Sequence, residues 1–275
     1  MRRLSVILLA AVCLAACSRE PVKEPDQLVV EGWIEAGEAP VVYLTTSLAI
    51  SKEDASLSSL NDHIVKWAKV TLSDGDDEVV LTGMASKRFL PPYAYTTGRM
   101  IGKAGKTYTL TVDYGDVHAT ASAKIPEPRA LDSIGTVDFT GSEGGSLVEA
   151  RFTPAAGEYY NFFTRIEKLD STYMPAPLGY LDSSLLGSSA TVRIQPGGSY
   201  MRTEERVAFR SGETVDIKFC TMSADTYRLW SVFGEQNTIS HVPVFTLDID
   251  LPGNVEGALG YFAGYGSTVY RVEIP

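Results

Sequence analysis

The chain has 275 residues, of which 34 are acidic and 24 are basic, and its formal net charge is −10 at pH 7. This acidic balance argues against nucleic acid or anionic lipid as the main binding partner, because both carry negative charge. With 44% hydrophobic and 21% charged residues, the chain has the composition of a globular protein, and its length suits one large or two ordinary domains.

The N-terminus has the features of a secretory signal. Two arginines precede an apolar run at residues 4–15, which is too short to span a bilayer as a mature helix. The run ends in LAAC, with Cys17 directly after small residues. This pattern resembles the lipobox of bacterial lipoproteins and predicts a signal peptide at 1–16 and acylation of the Cys17 thiol. The alternative is an ordinary signal peptide followed by a chance cysteine.

An acylated Cys17 would hold the mature chain on a membrane without a spanning helix. Each buried methylene adds about 0.8 kcal/mol, and two or more acyl chains hold a protein firmly. Residues 17–27 are polar with two prolines, which is typical of a tether. No later segment is apolar enough to predict a transmembrane helix. Cys220 is then the one other thiol of the mature chain, so we expect no internal disulfide.

Strand patterns begin at Leu28. Segments with alternating or β-branched residues lie at 28–34, 41–47, 68–83, 105–113 and 117–125. Turn signals such as Asp74-Gly75 separate them, and short strands at this spacing are typical of an immunoglobulin-like sandwich. We predict such a domain at 28–128. Tyr108, near the start of the most regular strand, is a candidate tyrosine corner.

Residues 126–133 carry two prolines and mark the predicted boundary between two domains. A second series of strand patterns follows and predicts a β-rich domain at 129–275. One helix interrupts it at residues 223–234, with Ser223 as its N-cap and Gly234 as its predicted end. The predicted fold class is therefore mainly β, with two sandwich-like domains and one docked helix in the second.

Five stretches together resemble a known family. They are LVVEGWIEAGEAPVVYLTTSLAIS from Leu28, AGKTYTLTV from Ala104, KIPEPRALDS from Lys124, YRLWSVF from Tyr227 and NVEGALGYFAGYG from Asn254. In this order, after a lipobox, they resemble a Bacteroidota lipoprotein family of unknown function, domain of unknown function 4249. The likeness covers nearly the whole mature chain.

The resemblance implies a lipoprotein of the outer membrane or periplasm, and members of such families often accompany TonB-dependent transporters. It carries over no catalytic residue. We therefore expect a non-enzymatic accessory or binding partner of such a transport system, attached to the cell envelope through its N-terminal lipid. The side of the outer membrane stays open, because residues 18–24 mix both charges.

The residues that could carry chemistry are scattered. His63, His118 and His241 stand far apart without a metal-binding spacing, no GxSxG segment occurs, and Cys220 ends an alternating strand. The acidic turn that begins at Asp74 does not match an EF-hand loop, and a solvated hairpin turn explains it better. We predict no catalytic residues, no metal site and no cofactor.

Apolar residues in one long loop give the better functional lead. The loop spans residues 171–189 and is rich in prolines and glycines. Its apolar side chains include Tyr173, Met174, Leu178, Tyr180 and Leu185. Long loops are often functional, and apolar groups in a polar-rimmed loop suggest a partner-binding surface. The alternative is that the loop folds back on the core as a lid.

Two tryptophans lie on predicted strand faces and could either bind a ligand or pack inside the fold. Trp33 and Trp67 lie opposite predicted core residues, and either a stacked sugar or packing against a neighbouring layer explains them, with packing favoured. The second functional hypothesis is accordingly a glycan- or small-ligand-binding surface lipoprotein.

The glycine-rich stretch at residues 254–266 shows strand alternation up to Phe262. We interpret their glycines as positions that admit rings from a facing layer, with a bend at residues 263–266.

Overall fold

The computed structural model describes residues 27–46, 61–86, 89, 91–141, 144–198, 206–239 and 253–275, except for the side chains of 233–239. The predicted signal peptide, Cys17, most of the tether and His241 lie outside these residues. The described chain is mainly β, as predicted, with several sheets and one long α-helix.

Six of the eight described strands up to residue 124 follow the predicted segments, whereas the strand at 93–96 lies in none of them and the strand at 82–85 extends past residue 83. The eight strands are β1 (Leu28–Glu35), β2 (Val41–Thr46), β3 (Lys69–Ser73), β4 (Glu78–Val80), β5 (Thr82–Ala85), β6 (Tyr93–Thr96), β7 (Thr107–Tyr114) and β8 (Val117–Lys124).

The remaining elements include two very short strands, a 3-10 turn and the helix. They are β9 (Ser133–Asp138), β10 (Ser146–Phe152), β11 (Tyr159–Ile166), β12 (Met174–Pro175), β13 (Leu181–Asp182), the 3-10 turn Ser183–Leu185, β14 (Ala190–Ile194), β15 (Thr214–Met222), α1 (Ala224–Ile239), β16 (Val255–Glu256) and β17 (Leu259–Glu273).

A long sheet joins strands from both ends of the chain. Its order is β12-β11-β15-β17-β1-β2-β6-β5, and β13 pairs with β11 beside it. The two halves meet at the parallel pair of β1 and β17, which places Val29 opposite Leu259 and Glu35 opposite Tyr265. Two smaller sheets have the orders β16-β8-β7-β3-β4 and β14-β10-β9.

Both smaller sheets pack on one face of the long sheet, which we call the core face. The five-stranded sheet encloses a first hydrophobic core that includes Val30, Leu110 and Phe262. The three-stranded sheet encloses a second core that includes Phe162 and Phe219. The first core thus takes Phe262 from the C-terminal strand in addition to residues of the predicted range 28–128.

The linker at residues 124–128 crosses the core face of β17 between the two cores. A Cβ atom at Gly264 would lie 2.3 Å from the carbonyl oxygen of Lys124, and one at Gly266 would lie 2.5 Å from that of Pro126. Glycine is required there because two backbones approach so closely. The prediction that these glycines admit rings is wrong, since they admit the linker backbone. The predicted bend is also wrong, because β17 continues to Glu273.

The five-stranded sheet and the part of the long sheet that it covers form a first sandwich around the first core. Two local predictions in this sandwich are confirmed. β3 and β4 form the predicted hairpin, in whose turn Asp74 Oδ1 accepts a hydrogen bond from the Asp76 N–H. Tyr108 is fully buried, and its hydroxyl accepts a hydrogen bond of 2.9 Å from the backbone N–H of Lys103. A tyrosine hydroxyl bonded to backbone a few residues upstream is the contact of a tyrosine corner.

The helix begins where the sequence predicts. Ser223 Oγ accepts a hydrogen bond of 3.2 Å from the Thr226 N–H, as an N-cap side chain does. α1 ends at Ile239 rather than at Gly234, because a glycine inside a helix costs only about 1 kcal/mol. Within the described residues, no helix combines the length and the apolar content needed to cross a bilayer.

Candidate functional site

The face of the long sheet opposite the two cores is the candidate site, and we call it the aromatic face. Successive side chains of a strand point to opposite sides, so the strands that supply the core face also supply this one. Its residues are Glu31, Trp33, Glu35, Tyr159, Phe163, Lys218, Cys220, Met222, Tyr261, Ala263 and Tyr265.

The parallel register of β1 and β17 creates a pair of an acid and a phenol. Glu31 lies opposite Tyr261, and the Tyr261 hydroxyl donates a hydrogen bond of 2.9 Å to Glu31 Oε1. Burial raises the pKa of Glu31 above its ordinary value, and the hydrogen bond from Tyr261 lowers it by less. Burial also raises the pKa of Tyr261 well above its usual range. The Glu31 carboxyl group is therefore easier to protonate than that of a solvated glutamate.

A second acid on β1 forms a buried ion pair. Lys218 Nζ lies 2.8 and 2.9 Å from the two carboxylate oxygens of Glu35, and both side chains are nearly enclosed. Burial alone would lower the pKa of Lys218, but the charge of Glu35 raises it above the ordinary value. Lys218 therefore stays protonated at neutral pH and neutralises Glu35 inside the protein.

Residues 171–189, which we call the cover segment, fold against this ion pair. The Tyr173 ring lies 4.2 Å from Lys218 Nζ and 4.7 Å from the guanidinium carbon of Arg165. Arg165 also donates a hydrogen bond of 2.6 Å to Asp216. Cations over an aromatic face attract its electrons, and the attraction is stronger where water is excluded. Tyr173 thereby fixes the start of the cover segment to the sheet.

The helix α1 closes another part of the aromatic face with rings. Tyr227 stacks on Tyr159 with 4.4 Å between ring centroids. Trp230 donates its indole N–H to the Tyr265 hydroxyl at 2.9 Å. The rings of Trp230 and Tyr180 are nearly parallel, with 6.0 Å between centroids and an interplanar angle of 9°. Helix, cover segment and sheet therefore meet in one aromatic cluster.

Cys220 lies within the same face and is unreactive. Its Sγ is buried and lies 3.3 Å from Ser267 Oγ. Burial raises the pKa of the Cys220 thiol to about 12. A thiol with that pKa is protonated at neutral pH, whereas the thiolate is the nucleophile. The interpretation of Cys220 as a structural thiol agrees with this environment.

A cleft of about 390 Å³ opens at the edge of the aromatic face, between the start of α1, the end of β8 and β17. Asn254 forms part of its wall and bridges two strands, since its Nδ2 donates to the carbonyls of Phe262 and Ser122 and its Oδ1 accepts from the Phe262 N–H. Lys124 and Arg228 contribute cations to the lining. The cleft therefore offers polar groups beside a ring surface.

The five residues predicted for partner binding occupy two kinds of position. Tyr173, Met174, Leu178 and Tyr180 are partly buried: Met174 lies on β12, Leu178 packs on the second core, and Tyr180 joins the aromatic cluster. Leu185 is 82% exposed at the end of the 3-10 turn. The cover segment thus folds back as a lid while it presents Leu185 to solvent, and partner binding there stays a prediction.

The two acids of β1 were not among the site residues predicted from the sequence. Glu31 and Glu35 flank Trp33 in the segment EGWIE, so strand alternation alone places all three side chains on one face. Acidic residues on one face of an otherwise apolar strand are the pattern from which they could have been predicted. Trp33 packs on Tyr43, with ring centroids 5.5 Å apart. The expectation that Trp67 packs against a neighbouring layer is wrong, since Trp67 is 90% exposed.

The histidines considered as possible metal ligands do not group into one site in the described structure. His118 forms an exposed hydrogen bond with Asp113, and His63 forms a separate hydrogen bond with Thr46. In the described part of the chain, no three histidine, cysteine or acidic side chains are grouped as a metal site.

Comparison with known proteins gives a family but no named relative. No curated protein sequence matches the chain. A chain in the solved structure described as "Cytokine receptor complex - Crystal form 1A" is 12% identical, with a TM-score of 0.24, and the match covers 73% of this chain and 86% of that chain. That similarity is too low to support an argument. The family model described as "Domain of unknown function (DUF4249)" matches residues 18–271, and the chain belongs to this family.

Proposed function

We propose that the protein is a non-enzymatic, lipid-anchored lipoprotein of the bacterial cell envelope, of Bacteroidota origin, that acts as an accessory partner of a TonB-dependent transport system. Cys17 carries the lipid, and the outer membrane is the proposed location. The observation that supports partner binding most is the cover segment, which is fixed to the sheet yet exposes an apolar tip.

Backbone and side-chain contacts fix the cover segment up to the residue before its tip. β12 and β13 pair with β11, and Asp182 Oδ1 accepts a hydrogen bond of 2.7 Å from the Ser184 N–H at the 3-10 turn. Leu185 follows at once and is 82% exposed. A loop already held in one conformation loses little further entropy when it binds, so its contacts contribute more of their energy to affinity.

Two groups that often perform catalysis, a thiol and an amine, are held in unreactive states on the aromatic face. Burial keeps the Cys220 thiol protonated, and Lys218 is protonated and paired with Glu35. Glu31 has one hydrogen-bond partner, the hydroxyl of Tyr261, whose own pKa is raised. These environments support a binding role.

The test is capture of the partner from crosslinked membranes. Leu185→Asp should abolish recovery of an outer-membrane transporter of the TonB-dependent class, identified by mass spectrometry, because a charge replaces the exposed apolar contact. Leu169→Asp is the matched control, since Leu169 is 56% exposed in a turn outside the cover segment. Recovery of no transporter by the unaltered protein would refute the proposal, and equal recovery by both variants would exclude Leu185 from the interface.

A second candidate function is binding of a glycan or small polar ligand at the aromatic face. The cleft at the edge of this face favours it, because its lining combines the charged groups of Lys124 and Arg228 with the Tyr261 ring, on which a sugar ring can stack. Titration of the protein with a polysaccharide panel should then change the emission of Trp33 or Trp230. An emission spectrum that no member of the panel alters, together with transporter capture, would leave the first function as the sole proposal.

A further inference from the structure

The most exposed large apolar side chain is far from the aromatic face. Among the described residues Trp67 has the greatest exposed fraction of the large hydrophobic side chains, at 90%. Its neighbours Lys66 and Lys69 are exposed as well, and neither ammonium group has an ion-pair partner in the described part of the chain. Tryptophan is usually largely buried, so full exposure between two cations is unusual. We call residues 66–69 the Trp67 turn.

The Trp67 turn is fixed to the first sandwich by two tyrosines of β6. The Tyr95 hydroxyl accepts a hydrogen bond of 3.0 Å from the Ala68 N–H and donates one of 3.0 Å to the Val65 carbonyl. The Tyr93 hydroxyl donates to the Lys66 carbonyl at 3.2 Å. Because backbone groups before and after Trp67 are held, its outward position is a fixed feature of the fold.

The turn lies close to the point where the tether enters the fold. The Val65 N–H donates to the Leu44 carbonyl, and Leu44 lies opposite Val30 on β1. With about 4.8 Å between strands and 3.3 Å per residue along them, Trp67 lies within about 20 Å of Leu28.

The length of the tether matches this distance. Leu28 follows Cys17 by eleven positions. A flexible chain of that length spans about 17–20 Å on average and at most about 40 Å when extended. A lipid at Cys17 therefore holds Leu28, and with it the Trp67 turn, within reach of the bilayer surface.

We propose that the Trp67 turn contacts the membrane surface beside the lipid anchor. The indole lies at the level of the lipid headgroups, where tryptophan is favoured because its ring is apolar and its N–H is polar. Lys66 and Lys69 extend their charged ends to lipid phosphates. The chain as a whole is acidic, so the two lysines supply a local attraction that the net charge does not. The inference rests on the proposed lipid anchor and adds the orientation of the protein on the membrane.

The test separates the contact from the anchor. The mature chain with Cys17 replaced by a hexahistidine tag is bound to vesicles of phosphatidylethanolamine and phosphatidylglycerol that contain a nickel-chelating lipid and brominated acyl chains. Bromine quenches tryptophan emission at short range. The unaltered chain should show a blue shift and a loss of emission that Trp67→Phe does not show, since Trp33 and Trp230 remain in both. Equal emission loss in both chains would overturn the proposal.

Two further measurements test the role of the lysines and the lipid anchor separately. The double variant Lys66→Gln, Lys69→Gln should lose the dependence of quenching on phosphatidylglycerol, and retention of that dependence would refute the role of the lysines. Flotation of the acylated chain and of Cys17→Ser with membranes tests the anchor independently. If a photocrosslinker at residue 67 captures a protein in native membranes while lipid quenching is absent, the turn is a protein interface and the proposal is wrong.

Discussion

The core face and the aromatic face of the long sheet come from the same strands but are stabilised in different ways. Phe219 on the core face is fully buried and stacks on Phe162 with 4.7 Å between centroids. On the opposite face, its neighbour Lys218 is neutralised by Glu35 and covered by Tyr173. Burial of apolar area stabilises the first, whereas the second depends on charges and rings contributed by distant segments. The faces should therefore respond differently to mutation.

The largest expected effect is on the core face. Phe219→Ala should lower the free energy of unfolding by about 3–5 kcal/mol, because it removes a buried ring and leaves a cavity. Phe163→Ala is the matched change on the aromatic face, where Phe163 is partly exposed, and it should cost clearly less. Urea unfolding measures both. A loss for Phe163→Ala equal to that for Phe219→Ala would contradict the difference between the faces.

The next effect concerns the ion pair of the aromatic face. Lys218→Met leaves the Glu35 carboxylate buried without a partner and should cost about 3 kcal/mol. Adding Glu35→Gln to Lys218→Met should recover part of that loss, because no uncompensated charge remains. Arg193→Gln breaks the exposed pair of Arg193 and Glu149 and should cost less than about 1 kcal/mol. If all three variants unfold at the same urea concentration, the pair of Lys218 and Glu35 is effectively solvated.

A smaller, pH-dependent effect tests the acid beside Tyr261. The pKa of Glu31 is raised in the folded state, so its contribution to stability is complete below the unfolded pKa near 4.5 and is lost as pH rises through the folded pKa. Glu31→Gln should remove this loss, and the variant should gain stability relative to the unaltered protein from pH 4 to pH 8. Thermal unfolding across that range measures the difference. A constant difference would show that Glu31 is not desolvated.

The smallest expected effect lies outside both faces, in the hairpin of β3 and β4. The hydrogen bond from the backbone of Asp77, and then that from Lys106, lower the pKa of Asp74 to about 2. The contribution of Asp74 to stability is therefore present above its ordinary pKa and lost as pH falls through about 2. Lys106→Ala should raise the Asp74 pKa part of the way toward 3.8 in an NMR titration. An unchanged titration would assign the whole shift to the backbone.

Much of the local structure could be predicted from the sequence, because strand alternation, turns and helix caps depend on residues a few positions apart. The hairpin at Asp74, the buried Tyr108 and the N-cap at Ser223 follow from patterns a few residues long. The parallel pairing of β1 with β17 joins residues about 230 positions apart, and no local pattern specifies it. The linker that requires Gly264 was missed for the same reason.

The aromatic face was only partly predictable. Alternation places Glu31 beside Trp33 on one side of β1, but it does not say that α1 and the cover segment enclose that side. Trp67 shows the converse, since its pattern suggests packing and no layer in the described chain covers it. A strand pattern predicts which side chains share a face, and the cover on that face depends on contacts between distant segments.

The most direct test of the proposed function is site-specific photocrosslinking in native membranes. A benzophenone amino acid at position 185 should form a covalent adduct with an outer-membrane transporter of the TonB-dependent class, identified by mass spectrometry. The same group at position 169, also exposed, should form little or none. A transporter adduct at 185 alone is the predicted result; no adduct at 185, or equal adducts at both positions, would contradict the proposal that the cover segment binds the transporter.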